Sequence, residues 1–203
     1  MTKIFKVKDL TAENITEVAA ALNNGAVVIM PTDTVYGIVA NAADDAAVAR
    51  MCETKQKPFN VPLQYLVKNV HTAKEISALS EKANKIADTY WPGPLTMIVP
   101  PSKKGRPYLR GFDTLGIRVP DHELTVKILN TFGGILAASS ANMHGTGLVN
   151  SEEGILKQFD GRVDYILLDG ELKGMASTIL TPEPLVVIRE GAVTEKEVLE
   201  LIK

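Results

Sequence analysis

The feature that most constrains this fold is a short apolar segment that ends abruptly at a proline. Residues 26–30 read A-V-V-I-M, and Pro31 is followed by the small polar residues Thr32, Asp33 and Thr34. An uninterrupted apolar run of this length is typical of a strand buried on both faces. Proline ends such a strand because it has no N–H to donate to a neighbour. The polar residues would then lie at the carboxyl edge of a buried sheet, where open α/β sheets place their ligands. Taken alone, they favour a binding loop and an ordinary polar turn about equally.

The same pattern occurs a second time in the chain. Residues 134–138 form another apolar segment, and it runs directly into Ser139, Ser140 and Asn142. Two strands that both end in small hydroxyl and amide residues favour the binding interpretation, because their loops can line one cavity. Within the first loop Thr32 is the strongest candidate, whereas Asp33 can equally well be structural.

Helical and extended patterns alternate along most of the chain, which predicts an α/β fold built as one domain over residues 1–203. Further strands are predicted at residues 3–8, 62–67, 95–99, 115–119, 163–168 and 185–188. Helix starts are predicted at Thr11, at Asp44 or Asp45, at Ser80, and at Thr194, where Glu197 completes a capping box. Residues 100–110, rich in proline and lysine, predict an exposed, mobile loop whose Lys103, Lys104, Arg106 and Arg110 could serve an RNA backbone.

Composition excludes several classes of protein. The formal net charge of −2 argues against a generally basic nucleic-acid coat, though not against a local basic groove. The single cysteine, Cys52, cannot form an intramolecular disulfide, and the N-terminus has no signal-peptide pattern, so we expect a cytoplasmic protein. No segment approaches the roughly 20 apolar residues that span a bilayer. We therefore expect no membrane partner.

The chain lacks the common catalytic motifs and offers cations instead. It has no G-x-x-x-x-G-K-[ST], no G-x-G-x-x-G and no G-x-S-x-G, and its histidines lack metal-ligand spacing, so no protein-bound metal is expected. Arg118 and Arg189 lie in or at the end of apolar runs, where a buried charge needs a partner. A salt bridge and ligand binding explain each arginine about equally well. If Lys55 and Lys57 converge with them, the set favours a polyanion such as a nucleoside triphosphate, whose transfer chemistry needs positioning and charge neutralisation.

Several motifs, taken in order along the chain, resemble the YrdC family of threonylcarbamoyl-AMP synthases. They are P-T-D-T-V-Y-G (31–37), K-Q-K (55–57), W-P-G-P-L-T (91–96), D-T-L-G-I-R-V-P (113–120), S-S-A-N (139–142), A-S-T (176–178) and I-R-E-G (188–191). Each motif alone is weak, but the ordered set runs the length of the chain. The resemblance implies a twisted, open mixed sheet with flanking helices around a positively charged cavity.

The resemblance also implies a reaction and its site. The amine of L-threonine takes up bicarbonate to give a carbamate, which attacks the α-phosphorus of ATP and expels pyrophosphate. The product, L-threonylcarbamoyl-AMP, would pass to downstream proteins that modify tRNA, and Mg²⁺ would be carried by the ATP phosphates. By motif, L-threonine is expected at Thr32, Arg118 and Ser177. ATP is expected at Lys55, Lys57, Thr114, Ser140, Asn142 and Arg189. Lys55 and Lys57 would be the catalytic cations, and Ser140 and Asn142 would lie near the phosphates and the magnesium ion.

Four positions depart from the family pattern. Lys57 stands where the family usually has arginine, Val61 and Leu66 replace polar residues, and Leu148 stands where a serine is often found. These departures leave two alternatives open beside the synthase. One is a divergent, non-catalytic protein that binds tRNA or double-stranded RNA. The other is a related enzyme that makes a different carbamoyl adenylate.

Overall fold

The computed structural model describes residues 1–58 and 61–203, and the strands it contains form one mixed sheet of ten strands. The strands are β1 (Lys3–Lys6), β2 (Val28–Met30), β3 (Gly37–Asn41), β4 (Gln64–Leu66), β5 (Leu95–Val99), β6 (Leu115–Arg118), β7 (Leu136–Ser140), β8 (Tyr165–Leu168), β9 (Thr178–Pro182) and β10 (Leu185–Arg189). Their spatial order is β1-β8-β2-β3-β7-β4-β6-β5-β9-β10. Both parallel and antiparallel pairs occur, so the predicted α/β fold with a mixed sheet is confirmed.

Seven α-helices are present in the described residues, and polar caps fix the start of most of them. They are α1 (Ala12–Asn23), α2 (Asp45–Thr54), α3 (Val70–Ile76), α4 (Glu81–Tyr90), α5 (Glu123–Phe132), α6 (Glu152–Phe159) and α7 (Glu195–Leu201). The predicted caps Thr11, Asp44 and Ser80 each accept a backbone N–H of the first turn. Thr194 and Glu197 form the predicted capping box.

The central strand β2 is buried on both faces, as its unbroken apolar sequence predicts. Alternate residues point to opposite faces of a strand, and Ile29 and Val28 accordingly pack into different apolar clusters. Ile29 lies in the larger cluster with α2, α4 and α6. Val28 lies in the smaller cluster beneath α1 and α5. Both side chains are fully buried, so the loop that follows Met30 starts from a fixed position.

Two sequence expectations are corrected by the fold. The strands β3 and β9 and the helices α3 and α6 are present although the sequence patterns did not indicate them. Residues 100–110 are not simply an exposed loop, because Gly105 is buried against the carbonyl oxygen of Ile76. The side chain of Arg110 is only 9% exposed and pairs with Asp45 at 2.7 Å, so it is not offered to an RNA backbone. Across the described ranges, no helix is both long enough and apolar enough to cross a membrane.

Candidate functional site

One face of the sheet forms the floor of the candidate site, and strand register decides which side chains share it. Gln64 of β4 lies between Ala138 of β7 and Gly116 of β6. Two residues further along β4, Leu66 is paired with Arg118 of β6. Because residues i and i+2 of a strand point to the same side, these two rows share one face. An alanine and a glycine in the first row leave open space on both sides of Gln64.

A first cavity of about 180 Å³ opens above this floor. It is lined by Thr32, Thr34, Val35, Gly37, Lys57, Pro62, Gln64, Leu66, Arg118, Ala138, Ser139, Ser140, Ala176, Ser177, Ile179 and Arg189. These include three cations and no carboxylate among the described residues. The loop after β2 and the carboxyl end of β7 both border it, so the two repeated strand-to-loop segments meet at one place. A cavity with this lining is suited to an anion.

A second cavity of about 160 Å³ lies next to the first and is more apolar. It is lined by Pro62, Leu63, Gln64, Tyr65, Thr96, Ile98, Leu109, Phe112, Thr114, Gly116 and Ile179. Pro62, Gln64 and Ile179 border both cavities. Each cavity alone is smaller than the roughly 300 Å³ at the low end of small-molecule sites, whereas the two together reach it. We therefore treat them as two compartments of one site.

The loop after β2 is held rigidly by hydroxyl groups. Thr32 Oγ1 donates to the carbonyl of Val35 at 2.6 Å and accepts the backbone N–H groups of Thr34 and Val35. Its hydroxyl also lies 2.9 Å from Thr34 Oγ1. Thr32 therefore borders the first cavity, as expected, but its hydroxyl also shapes the loop. The three bonds to the main chain use the one donor and both lone pairs of the hydroxyl, so a substrate contact through it would have to replace one of them.

Arg118 is buried and fully oriented before any ligand arrives. Its Nε donates to the carbonyl of Gly93 at 3.0 Å, one terminal nitrogen donates to Thr34 Oγ1 at 2.8 Å, and the other to Asp33 Oδ1 at 2.7 Å. Burial lowers the pKa of Arg118, and the neighbouring Asp33 opposes that shift. A guanidinium group has more N–H donors than these three contacts use. The salt bridge and ligand binding, two alternatives in the sequence, are thus compatible in the structure.

Ser177 and Arg189 close the opposite wall of the first cavity. Arg189 donates to the carbonyl of Ser177 through Nε at 3.1 Å and through a terminal nitrogen at 2.7 Å. The hydroxyl of Ser177 lies 3.0 Å from Thr96 Oγ1. Burial lowers the pKa of Arg189, and the charge of Arg118 lowers it further. Two cations that repel each other across a cavity are stabilised when an anion binds between them.

Lys55 and Asn142, both expected to contact ATP, are not among the residues that line the two cavities. Lys55 Nζ is buried and donates to the carbonyl of Asn142 at 2.6 Å and to that of Ser140. Asn142 Oδ1 accepts from Ser140 Oγ, and its Nδ2 donates to the carbonyl of Thr146 at 2.8 Å. Burial and the nearby charge of Lys57 lower the pKa of Lys55 to about 8. Both side chains brace the loop after β7, and Ser140 faces the cavity.

The remaining two residues expected at the ATP site, Lys57 and Thr114, line different cavities. Lys57 lines the first cavity, where its Nζ donates to the carbonyl of Pro62 at 3.0 Å, and Thr114 lines the second. Of the four departures from the family pattern, Lys57 and Leu66 border the first cavity. Leu148 is 48% exposed, and neither it nor Val61 is among the lining residues. The chain therefore has an apolar wall at Leu66.

Sequence reasoning missed two contributors to this site, Gln64 and Thr96, and left a third, Asp33, undecided. Gln64 borders both cavities, and its Nε2 donates to Thr96 Oγ1 and lies 3.4 Å from Ser177 Oγ. Asp33 holds Arg118 in place, although the sequence left its role undecided. A single polar residue within an otherwise apolar segment, Gln64 in Q-Y-L and Thr96 in L-T-M-I-V, is the signal that could have found both, because a buried polar group needs a polar partner.

Within residues 1–58 and 61–203, no group of three or more His, Cys, Asp or Glu side chains is placed to hold a metal ion. The residues that border the first cavity offer oxygen atoms from the hydroxyl groups of threonine and serine, from the carboxamide of Gln64 and from the main chain, but from no carboxylate among the described residues. Magnesium takes oxygen ligands and usually keeps several waters when it is bound through substrate phosphates.

Comparison with known proteins gives consistent results. The Sua5/YciO/YrdC family model, described as "Telomere recombination", matches residues 20–191. The threonylcarbamoyl-AMP synthase of Pyrococcus abyssi is 34% identical over 208 residues, covering 100% of this chain and 61% of the relative. That of Bacillus subtilis is 32% identical, covering 93% of this chain and 56% of the relative. The chain therefore spans about 60% of the length of these relatives.

A solved structure of Pyrococcus abyssi Sua5 complexed with L-threonine superposes on the whole chain with a TM-score of 0.90 and 30% sequence identity, and the match covers 61% of that structure's chain. The family model spans well over half of this chain, and the fold agrees with the ordered motifs. The chain belongs to the Sua5/YciO/YrdC family.

Proposed function

We propose that this protein is an L-threonylcarbamoyladenylate synthase, a nucleotidyltransferase that makes L-threonylcarbamoyl-AMP from L-threonine, bicarbonate and ATP and releases pyrophosphate. The observation that carries the proposal is the convergence of Arg118, Arg189 and Lys57 on one cavity, beside the hydroxyl groups of the loop after β2 and of the carboxyl end of β7. The names of its relatives support the same activity. The product would pass to downstream proteins that transfer the threonylcarbamoyl group to tRNA.

The amino acid fits the part of the first cavity next to Arg118. A carboxylate there would accept the guanidinium N–H groups that Asp33, Thr34 and Gly93 leave free, as a charge-assisted pair. Thr32 and Ser177 border the same cavity. Ser177 would offer its hydroxyl group to the remaining polar atoms of threonine, and the hydroxyl of Thr32 would do so by giving up one of its bonds within the loop. Because Arg118 is already oriented, the carboxylate would be held in one position relative to the floor of the site.

The nucleotide fits across both compartments. Its phosphates would lie in the first cavity, near Lys57, Arg189 and Ser140. The nucleoside would lie in the second cavity, where Thr114 offers a hydroxyl and Phe112 an aromatic ring. Neutralising the phosphates by fixed cations is the main catalytic requirement of phosphoryl and nucleotidyl transfer.

Magnesium would arrive with the triphosphate rather than in a protein-bound site. The hydroxyl group of Ser140 borders the cavity, and Asn142 Oδ1 accepts from it at 2.5 Å, so Ser140 retains lone pairs for a hydrated ion. The ion would add positive charge beside the departing pyrophosphate. Asn142 and Lys55 would act through the loop they brace.

Pyrophosphate release tests the proposal directly. The purified protein with ATP and Mg²⁺ should release pyrophosphate when L-threonine and bicarbonate are both present, and the adenylate should be detected by mass spectrometry. Omission of either co-substrate is the control. No release above the blank at saturating substrates would refute the synthase. Salt-sensitive tRNA or double-stranded RNA binding without turnover would instead favour the non-catalytic alternative, and a response to a different amine would favour a related adenylate.

A further inference from the structure

Gln64 lies on the boundary between the two compartments of the site. Its neighbours in the same row of the sheet are Ala138 on one side and Gly116 on the other. Ala138 lines the first cavity and Gly116 lines the second, whereas Gln64 lines both. A long side chain flanked by a methyl group and a hydrogen atom projects above its neighbours. Gln64 therefore forms the partition in the floor of the site.

The boundary between the compartments has one polar side chain among the described residues. Pro62, Gln64 and Ile179 border both cavities, and only the carboxamide of Gln64 can form hydrogen bonds through its side chain. Its Nε2 is engaged with the hydroxyl groups of Thr96 and Ser177. Its Oε1 has no hydrogen-bond partner in the described part of the chain. This oxygen is also not one of the fully buried atoms, so it remains accessible. An accessible acceptor therefore faces the site.

The proposed reaction places its reacting atoms at this boundary. In ATP the α-phosphorus is joined to the ribose on one side and to the departing pyrophosphate on the other. With the nucleoside in the second cavity and the phosphates in the first, the α-phosphate lies above Gln64. The carbamate of threonine must reach the same point from the first cavity. The carbamate oxygen forms a bond to phosphorus, the bond between the α-phosphorus and the bridging oxygen breaks, and pyrophosphate leaves with that electron pair.

We infer that Gln64 is a substrate-positioning residue whose Oε1 accepts the N–H of the threonine carbamate and so turns the carbamate oxygen toward the α-phosphorus. This inference rests on the proposed synthase activity. Nε2 is held by Thr96 and Ser177, which fixes the direction of Oε1. A neutral amide suits the position, because both the carbamate and the phosphate are anions that a carboxylate would repel. No proton is transferred to or from Gln64.

The test pairs two substrates with several variants. N-methyl-L-threonine gives a carbamate without an N–H, so the wild-type protein should use it at least about tenfold less efficiently in kcat/KM than L-threonine. Gln64→Ala should lower kcat/KM for L-threonine by about tenfold and lose most of the discrimination between the two amino acids, as a double-mutant cycle requires. Gln64→Glu should lower kcat further, with a smaller change in the KM for ATP.

Gln158→Glu makes the same change in charge at a matched control position. Gln158 Oε1 accepts the backbone N–H of Met143 at 3.0 Å, which a carboxylate also does, so this variant should keep wild-type kinetics. Unfolding midpoints of all variants separate folding defects from effects on the reaction. The inference is overturned if Gln64→Ala has wild-type stability and still discriminates between the two amino acids as strongly as the wild type does. A wild-type protein with no threonine-dependent pyrophosphate release overturns the proposed function as well.

Discussion

Replacing Asp33 by asparagine should destabilise the protein by about 3 kcal/mol. The Arg118 side chain is 3% exposed and that of Asp33 is 12% exposed, so the substitution leaves a buried guanidinium without its counter-ion. Breaking a buried ion pair by removing one partner costs roughly 3–5 kcal/mol. The lower end applies here because the bonds to Gly93 and Thr34 remain, and asparagine keeps the shape of the side chain. Asp33 Oδ2 has no hydrogen-bond partner among the described residues, so the substitution breaks no hydrogen bond at this second oxygen.

The assay is urea unfolding followed by the fluorescence of Trp91, which is 5% exposed and is the one tryptophan in the chain. The matched control is Asp88→Asn, because Asp88 pairs with Lys74 at 3.2 Å on the surface, with side chains 63% and 41% exposed. An exposed pair contributes about 0–1 kcal/mol. If Asp33→Asn lowered the free energy of unfolding by no more than Asp88→Asn does, the argument that Arg118 depends on its counter-ion would be wrong.

Three further outcomes follow from particular contacts. Gly174→Ala should raise the KM for threonine by about tenfold or more, because a Cβ at this position would lie 2.0 Å from the carbonyl oxygen of Thr34 and would displace the loop after β2. The control is Gly147→Ala, where a Cβ meets open space, and this variant should leave the KM unchanged. Burial lowers the pKa of Lys55 to about 8, below the ordinary lysine value of about 10.4. The folded chain therefore loses this proton first, and wild type should gain stability relative to Lys55→Met as pH rises from about 8 to 10.4; a constant difference in urea unfolding would contradict this. Lys57→Arg should lower the KM for ATP several-fold, because arginine can donate two N–H groups to one phosphate. An unchanged KM for ATP in the pyrophosphate assay would show that Lys57 lies away from the phosphates.

Where a local pattern was sufficient, the sequence predicted the fold well. Residues 95–99 are predicted as a strand and form β5, because a largely apolar segment between two prolines has clear boundaries. The capping box at Thr194 was likewise evident from residue types three apart. In contrast, β3 and β9 were missed. Gly37 opens β3 with no side chain, and β9 ends in Pro182, so neither strand looks extended without the neighbours that pair with it.

The candidate site shows the same division between local and long-range information. Motif order placed Thr32, Arg118, Ser177, Lys57 and Arg189 at one site, and all five border the first cavity. The contacts of Lys55 and Asn142 could not be predicted in this way. Lys55 lies 87 residues before Asn142, and only the folded chain shows that its ammonium group reaches main-chain carbonyls rather than the cavity.

The contacts of Lys55 have a consequence for how the protein binds its ligands. Lys55 joins α2 to the two carbonyl groups that flank Ala141, and Asn142 ties the same loop to Ser140 and Thr146. The loop is thus ordered in the free protein, and a ligand that contacts it does not have to restrict its conformations on arrival. Preorganisation of this kind raises affinity without adding a single new contact. The binding entropy of this protein should therefore depend on Lys55 through the loop that this lysine holds in place.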